Sequence, residues 1–164
     1  MNRRELLESS GAAILATAFA GMDELEGAED KKISALGKRV IRIYAGAGGE
    51  SHVQELVIAT KTTPGRTTRN ASAIPSTGAI YSEYTSSSTE DWHRTPARQF
   101  SISMSGEIEV EVSGGTKHAI HPGDMVFLED LKGKGHITRI LSPVTNIFIR
   151  VPDSFDVVAW ARSA

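Results

Sequence analysis

The chain has no cysteine. Disulfides, thiolate metal sites, iron–sulfur clusters and cysteine nucleophiles are excluded together, while the compartment stays open, because an exported protein need not use disulfides. Long apolar runs are also missing. The longest uncharged stretch, Ser9–Met22, has 14 residues, too short for a membrane span. Neither sign of charge dominates: 18 Lys+Arg against 20 Asp+Glu leave a net charge of −2. No electrostatic footprint for nucleic acid follows, and no polybasic segment for anionic lipid. Aromatic residues are scarce at 6%, yet 40% of the 164 residues are hydrophobic and only 23% charged. That composition argues against wholesale disorder and leaves room for a single compact domain.

The N-terminus reads separately. Arg3-Arg4 precedes Leu6-Leu7 and a small, weakly apolar stretch, Gly11–Met22, with Ala18-Phe19-Ala20 as a small-x-small cleavage site. This order resembles a twin-arginine export signal, which implies an exported, periplasmic location. Asn2, Glu5 and Glu8 depart from the pattern, and the competing reading is an amphipathic helix on a cytoplasmic protein. Asp23–Lys32 is polar and without apolar period. Residues 1–32 are therefore expected to be signal and linker, and 33–164 the folded domain.

From Arg39 onward the hydrophobic period is two. Strands are expected at Val40–Tyr44, His52–Thr60, Ala79–Thr85, Arg98–Met104, Glu107–Val112, Lys117–Ile120, Met125–Glu129, His136–Leu141 and Val144–Val151. Glu107–Val112 is the clearest, with Ile108, Val110 and Val112 on one face and three glutamates on the other. Ser113–Thr116 closes a hairpin, and Lys61–Gly78 is a long irregular connection. Ser86–Thr89 is expected as a polar loop and Val157–Ala161 as a short helix or extended tail. There is no internal repeat. A βαβ nucleotide fold is excluded, since no helical pattern of useful length follows the leader; the chain is expected to be an all-β sandwich or barrel.

Particular residues sharpen this. His93, Thr95, Gln99 and Gly106 stand at the spacing of a motif with two histidines, a glutamate and a glycine; Thr95 replaces the second histidine and Gln99 the glutamate. Gly123 and His136 then match a second motif that opens on a turn glycine and ends on a histidine, with a two-residue insertion. In these positions the segment Trp92–Asp130 resembles the cupin superfamily, and the likeness extends over about Tyr44–Val151. The resemblance implies a single-domain double-stranded β-helix, a jelly-roll barrel with its site in the lumen. It implies a small-molecule enzyme of dioxygenase, isomerase or lyase type, or else a non-catalytic small-ligand-binding module.

Positions 93, 95, 99, 101 and 103 share one parity, so on one continuous strand they face one side. With the resemblance, that side is the lumen, and His93, Thr95, Gln99, Ser101 and Ser103 line it. Phe100, Ile102 and Met104 then need cover, from strand Val40–Tyr44 or from a second subunit in a homodimer. The resemblance makes His93, Gln99 and His136 the candidate ligands of a divalent metal (Zn, Fe, Mn or Ni), with Glu83, Glu129 or Asp130 available to supply the missing carboxylate. His136→Ala is then expected to release metal with little effect on apo stability. Without a metal, His93 and His136 are the candidate acid–base residues, partnered by Tyr81 or Tyr84. Thr95, Gln99, Ser101 and Trp92 are candidate substrate contacts, and the basic loop Lys132–Gly135 is a candidate gate. His52, His118 and His121 are expected in turns or on the surface.

Overall fold

The computed structural model describes residues 38–163; the expected export signal, cleavage site and linker lie outside the described residues. Within them the chain forms β1 (Arg39–Ala45), β2 (Ser51–Val57), β3 (Lys61–Thr62), β4 (Arg69–Asn70), β5 (Gly78–Tyr84), β6 (Ser88–His93), β7 (Gln99–Ser105), β8 (Ile108–Glu111), β9 (Lys117–Ile120), β10 (Met125–Glu129), β11 (His136–Ile140), β12 (Val144–Arg150) and a helix, α1 (Val157–Arg162). A larger sheet runs β2-β1-β10-β7-β12-β5 and a smaller one β6-β11-β8-β9. All pairings are antiparallel except β1 with β10. From β5 onward the chain crosses repeatedly between the sheets, which is the winding of an all-β jelly-roll barrel. The hairpin β3–β4 lies inside the stretch expected to be irregular.

Two apolar clusters organise the fold. The first fills the space between the sheets: Ile43, Ile108, Val110, Ile120, Val126, Leu128, Ile140 and Val144 are buried there. The second lies on the other face of the larger sheet, where Phe100 and Phe127 meet Phe155 and Trp160, with Val40 and Leu56 joining them. Phe100 stands 4.8 Å from Phe127 and 5.4 Å from Trp160, centroid to centroid. Trp160 is held by its indole N–H donating to the Ser72 carbonyl at 2.8 Å. Helix α1 starts because Asp156 caps it, its Oδ1 accepting from the amides of Val158 and Ala159 at 2.9 and 3.0 Å.

This second cluster explains β7. Phe100 is fully buried, and so are Gln99, Ser101 and Ser103 on the opposite face. Much of the cover that Phe100 needs comes from α1 and Phe155 of the same chain, with Val40 of β1 also in the cluster. Met104, at the far end, is exposed.

His93 and Gln99 do not share a strand. β6 ends at His93 and β7 begins at Gln99, and the two belong to opposite sheets. β6 itself occupies Ser88–His93, where a loop was expected up to Thr89. Its residues Ser88–Asp91 are exposed, so this edge strand carries no apolar alternation to reveal it. No helix among the described residues is long and apolar enough to cross a membrane.

Candidate active site in the barrel lumen

The two sheets enclose a cavity of about 310 Å³. Its lining is graded. Ile108, Ile120, Val126 and Ile140 supply apolar walls, while His93, Thr95, Gln99, Ser101, His136 and Thr138 supply polar ones. Period two places these side chains. On β7, Gln99 and Ser101 point in; on β12, Asn146, Phe148 and Arg150 point in; on β5, Ile80, Ser82 and Tyr84 point in.

His93 and His136 face each other directly across the β6–β11 ladder. Their rings lie 4.5 Å apart, centroid to centroid. The approach depends on Gly135, whose φ of +78° is a left-handed conformation and whose missing side chain would overlap the His93 carbonyl oxygen. The loop before it is tied down rather than free. Lys134 donates its backbone N–H to the Gly49 carbonyl at 2.8 Å, and its ammonium sits 3.5 Å from the Trp92 ring centroid.

His136 is buried, and its Nδ1 lies 2.6 Å from Oδ2 of Asp130, which has no solvent exposure. An ionised carboxylate only accepts, so Nδ1–H is the donor and Nε2 is the nitrogen left for the cavity. His93 is half-buried at the rim. Its Nδ1 meets the Asp91 carbonyl at 2.9 Å, and its Nε2 lies 3.4 Å from a Glu90 carboxylate oxygen. Tyr84 also lines the cavity. Burial foremost, and the neighbouring Glu90 carboxylate after it, push its phenol above the ordinary value of 10.0, so it stays protonated through the neutral range.

Of the candidate residues, His93, Thr95, Gln99, Ser101 and His136 are brought to this one cavity. Two are not. Tyr81 points away from the lumen, is 61% exposed, and donates to Glu83 at 2.6 Å; parity along β5 turns Tyr84 inward instead. Trp92 lies outside the lining, under Lys134. The carboxylates sort differently from expectation. Glu129 pairs with Arg42 and Arg98, away from the lining, and Glu83 is on the surface. Asp130 stands behind His136 as its hydrogen-bond partner.

The donor set does not fit a resident divalent metal. Among the described residues no group of three or more His, Cys, Asp or Glu side chains is placed to hold one. Gln99 brings no charge, and its amide nitrogen lies 3.4 Å from the Thr95 hydroxyl.

Asn146, Thr138, Glu90 and Arg150 were not expected in the lining. The alternation of β12 carries a signal for two of them: Asn146 and Arg150 share parity with Phe148 and oppose Ile147 and Ile149.

No family model matches the chain, and no curated protein does. One solved structure that it resembles comes from Salmonella typhimurium and is named for ethanolamine utilization (ethanolamine utilization protein Q). The identity is 13%, over 71% of this chain and 97% of that one, with a TM-score of 0.33. A likeness of that extent assigns neither substrate nor chemistry, and the jelly-roll fold rests on the strand order described above.

Proposed function

We propose that this chain is a cupin-fold enzyme that takes a small molecule into the barrel lumen and moves a proton on it, with His136 as the base. The observation that carries the reading is the buried His136–Asp130 pair. Opposite an ionised Asp130 the imidazole is held with its proton on Nδ1 and Nε2 free toward a cavity of small-molecule size, which supports the reading. The motif residues His93, Gln99, Gly106, Gly123 and His136, on a jelly-roll frame, support the family reading.

The step suited to this arrangement is proton abstraction from carbon next to a carbonyl. His136 Nε2 takes the proton, and Asp130 stabilises the imidazolium that forms. Negative charge then develops on the carbonyl oxygen of the substrate. Hydrogen-bond donors in the same lining, the protonated Tyr84 phenol and the Gln99 amide, are available to meet it. Where the carbon that loses the proton bears a hydroxyl, passage of the hydroxyl proton to the enolate oxygen and return of the carbon proton to the former carbonyl carbon complete an isomerisation; return to the same carbon completes an epimerisation. Neither needs an oxidant or reductant. Loss of a leaving group instead of reprotonation gives an elimination.

The test is proton NMR in D2O, with the full chain incubated against a panel of aldoses, hydroxy ketones and keto acids. The expected result is deuterium entering one carbon of a panel member, lost in His136→Gln. Ligand-induced shifts in the His136 ring without exchange or product would overturn catalysis and leave a small-ligand-binding module.

A further inference from the structure

Resting on the reading of the lumen as the ligand site, the arrangement of β12 and β7 assigns the class of ligand. We infer that the lumen receives a short organic anion bearing hydroxyl groups, its carboxylate at Arg150 and a hydroxyl at Asn146, further along the same strand.

Among the described residues the cavity has one permanent cation in its wall. Arg150 is exposed at the end of β12 and makes no ion pair among the described residues, whereas Arg39, Arg42, Arg98 and Arg139 are each matched to a glutamate. Its neighbours on the rung favour an anion. Gln99 pairs with it on one side and offers amide hydrogens; Gly78 pairs with it on the other and brings no side chain to crowd the guanidinium. A planar guanidinium beside an amide is a good match for the two oxygens of a carboxylate. The one carboxylate in the lining, Glu90, lies on the opposite sheet beside His93.

The second observation lies deeper. Asn146 and its ladder partner Ser103 on β7 are both almost fully buried, and among the described residues neither Asn146 Oδ1 nor Ser103 Oγ has a hydrogen-bond partner. Buried polar atoms left unpaired are costly, and Asn146, which lines the cavity wall, points to a group that enters and satisfies it. Asn146 Oδ1 only accepts, and the group it needs is therefore a donor such as a hydroxyl. Arg150 is four positions along β12 from Asn146, about 13 Å along the strand; with the reach of the arginine side chain removed, a ligand of about five or six carbons spans the gap. Phe148 and Ser101 form the rung between them.

Isothermal titration calorimetry of the full chain with three probes tests this, read alongside the histidine-ring NMR signals. Gluconate carries the carboxylate and the hydroxyls, sorbitol only the hydroxyls, and hexanoate only the carboxylate. Gluconate is expected to bind about tenfold or more tightly than either of the others. Arg150→Gln should erase its advantage over sorbitol, and Asn146→Leu its advantage over hexanoate. Sorbitol binding as tightly as gluconate, or an Arg150→Gln chain that keeps the preference, would overturn the inference and leave the lumen site standing. Failure of all three probes to bind or to move the His136 ring would overturn the lumen reading itself, and this inference with it.

Discussion

Asp130 has one oxygen on His136 and the other without a partner, in a site closed to solvent. Removing the imidazole would leave a buried carboxylate with nothing to donate to it. His136→Ala is therefore expected to lower unfolding free energy by about 1–3 kcal/mol or more, measured as a fall in the urea midpoint at unchanged slope. An unchanged midpoint would show that Asp130 does not depend on this ring. The sequence suggested the opposite, little effect on stability, because it shows His136 only as a motif residue and cannot show that a carboxylate six positions earlier folds back beneath it. His93, Gln99 and His136 were legible because the motif spacing fixes their strand ends. Tyr81 was misplaced for want of one register: Tyr81 and Tyr84 differ in parity, and only the pairing with β12 decides which of them faces in.

At the scale of the element, α1 shows how a six-residue helix is fixed at one end. The backbone amides of Ala159 and Val158 hold the Asp156 carboxyl below its ordinary value of 3.8, against a smaller opposing effect of desolvation. A depressed carboxyl contributes stability that is fully present above its unfolded value and is lost as pH falls through the folded one. Asp156→Ala is thus expected to be less stable than the parent at pH 7, with the gap narrowing once the pH is taken below 3.8 in guanidinium titrations. A gap of the same size at both pH values would contradict the capping role. The helix also explains why β7 resisted a one-sided reading. Alternation of Phe100 and Ile102 with Gln99, Ser101 and Ser103 left open which face was core. Both faces are covered, one by α1 and one by the opposing sheet. β6 was missed for the converse reason, since an exposed edge strand needs no apolar face and leaves no period.

For the whole molecule, the all-β jelly roll was readable from repeated turns and from the clean alternation of Glu107–Val112, since a short strand between tight turns has few alternatives. The composition of the lumen was only half readable, because it is assembled across sheets from residues distant in the chain. Those two levels meet at His136, whose ring is oriented by the β10–β11 connection and opens on the cavity that the two sheets enclose. Long-range proton–nitrogen NMR of the uniformly 15N-labelled chain reads that ring directly among the five histidines, with His136→Gln for assignment. The expected result is that the neutral form of the ring carries its proton on Nδ1, with Nε2 bare, and that the proton moves to Nε2 in Asp130→Asn. A wild-type ring carrying its proton on Nε2, or one indifferent to the change at Asp130, would contradict a base held ready for the lumen.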